Sequence, residues 1–86
     1  MYKILYSREA VKDAKKIKAS NLHKKCQYLI EIIRNNPFDR PPPYEKLVGD
    51  LSGFYSRRIN IQHRLVYTVV DAKKVVKILK MWTHYE

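Results

Sequence analysis

Three consecutive prolines, Pro41-Pro42-Pro43, separate two stretches of chain with different hydrophobic periods. They remove three backbone donors and fix three φ angles, so residues 37–44, Pro-Phe-Asp-Arg-Pro-Pro-Pro-Tyr, are barred from a helix interior and from a central strand. A stiff surface loop is expected there. Upstream, apolar residues recur mainly at helical spacing; downstream, branched and aromatic residues gather in strand-like runs.

Residues 2–6 form a short run of strand formers that ends at Ser7, whose hydroxyl suits a helix N-cap before Arg8, Glu9 and Ala10. Ala10, Val11, Ala14 and Ile17 then mark an amphipathic helix, with Lys12, Lys15 and Lys16 largely outside its apolar stripe. Ser20-Asn21 offers a second cap. Leu22, Cys26, Leu29 and Ile33 follow at i, i+4, i+7 and i+11, flanked by Ile30 and Ile32, so the second helix has a wide buried arc. Asn35-Asn36-Pro37 ends it, because proline disfavours helical geometry at the residue before it.

After the prolines, residues 54–61, 64–70 and 75–85 read as strands, separated by Gln62-His63 and by Asp71-Ala72-Lys73-Lys74. The expected class is α+β: an N-terminal strand, two helices, then a three-stranded antiparallel meander. The first strand must join the meander to bury its apolar face, completing a twisted antiparallel sheet. Eighty-six residues without a repeat or linker predict a single domain, 1–86.

Charge narrows the function. Eighteen Lys and Arg against eight Asp and Glu leave a formal +10, which points to a polyanionic ligand. The excess is distributed: ten basic and four acidic residues fall in 1–43, eight and four in 44–86. No apolar run exceeds three residues, so neither a membrane span nor a signal peptide can be drawn, and a cytoplasmic location without membrane association is expected. A single cysteine, Cys26, rules out an internal disulfide and a thiolate metal cluster; at the centre of the second helix's apolar arc it reads as an inert core thiol.

His23, His63 and His84 lie on three different elements with no metal-binding spacing, and two glycines, Gly49 and Gly53, cannot make a phosphate loop. Chemistry without metal or cofactor is therefore expected. For a basic protein that points to cleavage of RNA through its own 2′-hydroxyl, a nucleophile that DNA lacks. The reaction needs a base for the 2′-OH proton, cations for the charge on the phosphorus oxygens, and an acid for the departing 5′-oxygen. Glu45, Arg57, Arg58, Arg64, His84 and Tyr85 supply the residue types. Arg57 and Arg58 point to opposite faces of one strand, so at most one faces substrate. On the next strand, Arg64, Val66 and Thr68 face away from Leu65, Tyr67 and Val69, which marks the less apolar face as the place for a groove. His63, at a hairpin turn, is expected to be structural or solvent-facing.

The run Leu-Ser-Gly-Phe-Tyr-Ser-Arg-Arg-Ile at 51–59, His-Arg-Leu-Val-Tyr at 63–67 and Asn-Pro-Phe at 36–38, with Glu45-Lys46-Leu47 and the late His84-Tyr85, resembles the YoeB/Txe toxins of the RelE superfamily over essentially the whole chain. The resemblance implies a RelE-like fold and an mRNA interferase of a type II toxin-antitoxin pair, cutting mRNA in the ribosomal A site. It implies Glu45 as general base, His84 as general acid, Arg64 as the phosphate-stabilising cation and Tyr85 as the aromatic residue that orients substrate. Arg58, Lys46 and Tyr55 would contact the RNA, Tyr55 standing where many relatives carry Trp. The chain departs from the family pattern in ending with Glu86 after the His-Tyr pair.

The implied partners are the ribosome with its mRNA, an acidic antitoxin of the YefM/Axe type, and operator DNA through the antitoxin complex; the sequence leaves open whether the free chain is a monomer or a homodimer. The same residues also allow a basic RNA- or DNA-binding module in which Glu45 and His84 do no chemistry, or an interaction protein that binds an acidic peptide.

Overall fold

The computed structural model describes residues 1–82; His84 and Tyr85 lie outside the described residues. In chain order the elements are β1 (Lys3–Tyr6), α1 (Arg8–Lys18), α2 (His23–Asn35), β2 (Glu45–Lys46), β3 (Tyr55–Arg58), β4 (Arg64–Val70) and β5 (Val75–Lys80). The five strands form one sheet in the order β1-β5-β4-β3-β2. Both helices pack on one face, where Ala10, Ile17, Cys26, Leu29 and Ile33 meet Leu65, Tyr67, Val76 and Ile78 in a single core. Each buried Leu, Ile or Val among them contributes roughly 1.5–3 kcal/mol. No helix among the described residues is long and apolar enough to cross a membrane.

The α+β class and the β3-β4-β5 meander agree with expectation, but the sheet is mixed. β1 lies parallel to β5, with Lys3 opposite Val75 and Tyr6 opposite Ile78. Side-chain alternation assigns faces and says nothing about direction, and β1 is separated from β5 by both helices and three strands, so a hairpin does not force it antiparallel. Ser7 secures the junction. Its Oγ accepts from Ala10 N at 3.0 Å, capping α1 as expected, and donates to Leu79 O at 2.6 Å, tying the cap to β5.

Three local expectations need correction. Ser20 does not cap α2: its Oγ donates to Ile17 O and accepts from Leu22 N, so it holds the turn between the helices. Val11 is half exposed, and Asp13 takes the buried place instead. β5 stops at Lys80, where strand had been expected as far as residue 85. The last two share a cause. Asp13 Oδ2 accepts from Met81 N at 3.0 Å and from Trp82 N at 3.1 Å, drawing both donors out of the ladder.

Removing that carboxylate leaves two peptide N–H groups without their partner. Asp13→Ala is expected to cost about 2–3 kcal/mol, or roughly 10–20 °C in Tm for a domain of this size. Urea and thermal unfolding followed by circular dichroism check this.

Cys26 is an inert core group, 3% exposed, with its Sγ 3.7 Å from Met81 Sδ. Burial pushes its thiol up to about 11. The folded chain is expected to resist a disulfide-exchange reagent at pH 8 and to react once unfolded in urea, as read by thiol titration. Because the folded value lies above the ordinary 9.0, the stability linked to this group is full below about pH 9 and declines as pH rises toward 11.

Candidate active site

Directly paired residues of antiparallel strands share a face, so register assigns the side chains. Glu45 of β2 pairs with Ser56 of β3, Ser56 pairs with Val66 of β4, and Arg58 pairs with Arg64. Glu45, Ser56, Arg58 and Arg64 therefore share the face that carries Val66 and Thr68, opposite the helices. With Pro43 and Tyr44 they line one open groove. Glu45 directly follows the proline loop and opens β2, a strand that the expected strands at 54–61, 64–70 and 75–85 do not include. β2 has two residues, too short for any alternation to show.

In the groove, Arg64 Nη1 lies 3.6 Å from Glu45 Oε1; the Glu45 side chain is 72% exposed and the Arg64 side chain 19%. The carboxylate is open to an incoming ligand, while the Arg64 side chain is mostly covered. Arg58 is exposed on the same face. At the groove's floor, Ser56 is 1% exposed and its Oγ has no hydrogen-bond partner among the described residues. The arrangement combines a solvent-accessible base with two cations that can receive phosphate oxygens.

Two expected RNA contacts lie elsewhere. Lys46 pairs with Tyr55 and Tyr55 with Tyr67, so both belong to the opposite face of the sheet from Glu45. The Tyr55 ring packs edge-on to Phe38 (centroids 5.4 Å apart) and Tyr44 (5.7 Å) and lies 5.7 Å from Tyr67, a cluster that seats the proline loop. The signal was present in the sequence: Tyr55 and Arg58 are three apart, an odd spacing that puts them on opposite faces of a strand.

Arg57, on that second face, is fully buried. Its Nε donates to Tyr67 Oη at 3.0 Å, Nη1 to Pro42 O at 2.6 Å, and Nη2 to Pro37 O at 3.0 Å and Asp39 O at 2.9 Å. The Tyr67 hydroxyl donates to Pro37 O at 2.8 Å, and burial raises its phenol above the ordinary value, so it keeps that proton. Pro37 is itself buried, which corrects the expectation of a loop lying wholly on the surface.

His63 stacks on Trp82, with ring centroids 4.0 Å apart and planes at 20°. The contact gives His63 a structural role and sets Trp82, two residues before His84, against the neighbour of Arg64. The general acid and orienting aromatic expected at His84 and Tyr85 lie outside the described residues. Among the described residues, no group of three His, Cys, Asp or Glu side chains could hold a metal ion.

A basic α+β domain with a carboxylate–guanidinium groove on its open sheet face defines a class that comparison with known proteins makes specific. A model of the YoeB-like toxins of bacterial type II toxin-antitoxin systems matches residues 6–85, and the chain belongs to that family. Toxin YoeB of Synechocystis sp. is 43% identical over 65 residues, 76% of this chain and 73% of that toxin. The YoeB/ParE toxin from Agrobacterium tumefaciens superposes with a TM-score of 0.88 at 27% identity, covering 96% of this chain and 99% of its own. A YoeB–YefM complex from Staphylococcus aureus gives a TM-score of 0.83 at 39% identity over 99% of each chain. The YoeB dimer from the same organism gives 0.82 at 38% identity over 98% of each.

Proposed function

We propose that this toxin is a ribosome-dependent endoribonuclease that cuts mRNA in the A site by general acid–base chemistry, blocking translation. The observation that carries the reading is the exposed Glu45 carboxylate 3.6 Å from Arg64 in a groove that Arg58 also lines.

An RNA phosphate entering that groove competes for Arg64, and the exchange frees Glu45 from its ion pair. Glu45 then takes the proton of the 2′-hydroxyl, whose oxygen attacks the adjacent phosphorus. Arg64, assisted by Arg58, holds the negative charge growing on the non-bridging oxygens. The bond to the 5′-oxygen breaks, His84 gives that oxygen a proton, and Tyr85 orients the substrate. The products are a 2′,3′-cyclic phosphate and a 5′-hydroxyl, so protons and electrons balance without a cofactor.

The regulating partner is proposed to be an acidic antitoxin of the YefM type, whose flexible segment folds onto the +10 surface and covers the groove. The antitoxin would link the toxin to operator DNA. The Staphylococcus aureus relative, solved with YefM and as a dimer, supports both an antitoxin partner and a homodimer.

The test adds purified protein, and separately His84→Ala, to programmed ribosomes and maps mRNA ends by primer extension. Cuts at the A-site codon that fall sharply in the variant support the reading. RNA binding by the wild type with no cuts would establish the non-catalytic module instead.

A further inference from the structure

The proline loop has an unusual hydrogen-bonding problem, and one side chain from another element solves it. Pro37, Pro41, Pro42 and Pro43 have no N–H, so the segment cannot build a regular ladder of its own, while its inward carbonyls need donors. Arg57 provides them. One guanidinium reaches the carbonyls of Pro37, Asp39 and Pro42 together with the Tyr67 hydroxyl, and none of the ion pairs among the described residues involves it. The fork spans the loop from its first residue to its sixth. Its Cζ also lies 5.2 Å from the centroid of Tyr44, the last loop residue.

Glu45 follows Tyr44 immediately and pairs with Ser56, the chain neighbour of Arg57. With two residues, β2 has too little pairing to fix its own position, so the loop that delivers it must be held. From this geometry we infer that Arg57 is the positioning residue for Glu45. It sets the rate of the chemical step by clasping the proline loop from the far face of the sheet, and it does not touch RNA. The inference rests on the reading of Glu45 as base.

The test measures single-turnover cleavage on programmed ribosomes, across ribosome concentrations, for wild type, Arg57→Met, Arg57→Lys, Glu45→Gln and Arg57→Met/Glu45→Gln. Arg57→Met is expected to lower the saturated rate about 100-fold, the scale of a displacement near 1 Å, with the half-saturating concentration within about twofold of wild type. Arg57→Lys should recover part of the loss, because an ammonium keeps the charge without the planar fork. In the Glu45→Gln background, Arg57→Met should change the rate less than about twofold, since two residues acting as one unit are non-additive. Chymotrypsin should cut after Phe38 or Tyr44 faster in Arg57→Met than in wild type.

Multiplying effects in the double variant, a loss confined to half-saturation, or unchanged chymotryptic cutting would each overturn the inference. Should Arg57→Met fail to fold, Tyr67→Phe removes the hydroxyl shared by Arg57 and Pro37, and about a tenfold loss at saturation, again absent in the Glu45→Gln background, is expected. A wild type that binds ribosomes without cutting would remove the base role of Glu45 and this inference with it. An active wild type with multiplicative variants removes this inference alone.

Discussion

Glu45→Gln is expected to lower the single-turnover rate of mRNA cleavage by about 10²–10⁴-fold, the range for losing a general base, while the domain stays folded. The two effects separate because of where Glu45 sits. Its side chain is 72% exposed, and its contact with Arg64 at 3.6 Å is a loose surface pair on one side. Such pairs contribute about 0–1 kcal/mol, so Tm should move by no more than about 4–8 °C. Glutamine keeps the size and a hydrogen-bonding oxygen and loses the ability to take a proton. Thermal melts beside quench-flow cleavage at saturating ribosomes make the comparison.

Arg64→Ala is expected to reduce the saturated rate by about 10²–10³-fold, the scale for removing one donor to a developing oxyanion. The Arg64 side chain is 19% exposed and its Nη1 lies 3.6 Å from Glu45, so the charge already stands beside the carboxylate in the groove. Arg64→Lys should restore a fraction of that rate, because an ammonium keeps the charge without the bidentate fork that matches two phosphate oxygens. If Arg64 served binding alone, the half-saturating concentration would rise and the saturated rate would hold. The ratio of the two parameters across Ala and Lys distinguishes these roles.

How much of this was legible in the residues depends on the range of the interactions. Ala10, Ala14 and Ile17, then Cys26, Leu29 and Ile33, carry a helical period that local sterics and burial dictate, and the core confirms the stripe. β4 coincides with its expected span, because residues 65–70 are a run of branched and aromatic strand formers bounded by turn residues. What escaped was set by partners distant in sequence. Asp13 lies between Ala10 and Ile17 on the apolar stripe, and its burial makes sense once Met81 and Trp82, 68 and 69 residues on, supply the donors. The direction of β1 depends on which neighbour it meets, and alternation carries no such information.

At the site, Glu45, Arg58 and Arg64 were recognisable from the family resemblance, while their meeting on one face follows from strand register. Arg57 was legible as facing away from Arg58, but its role was not. A buried arginine with carbonyl partners leaves no local pattern, since those partners lie 15 to 20 residues earlier in the chain. Tyr55 shows the opposite case: its odd spacing from Arg58 was visible in the sequence and assigns it to the other face of the sheet.

The most direct test of 2′-hydroxyl chemistry in this groove uses an mRNA carrying a single 2′-deoxy nucleotide on the 5′ side of the A-site scissile bond, compared with its all-ribose counterpart on programmed ribosomes. The expected result is cleavage of the ribose mRNA to a 2′,3′-cyclic phosphate and a 5′-hydroxyl, with no cut at the deoxy position. Equal cleavage of both mRNAs, leaving a 3′-hydroxyl and a 5′-phosphate, would contradict the assignment of Glu45 as the base that activates the RNA.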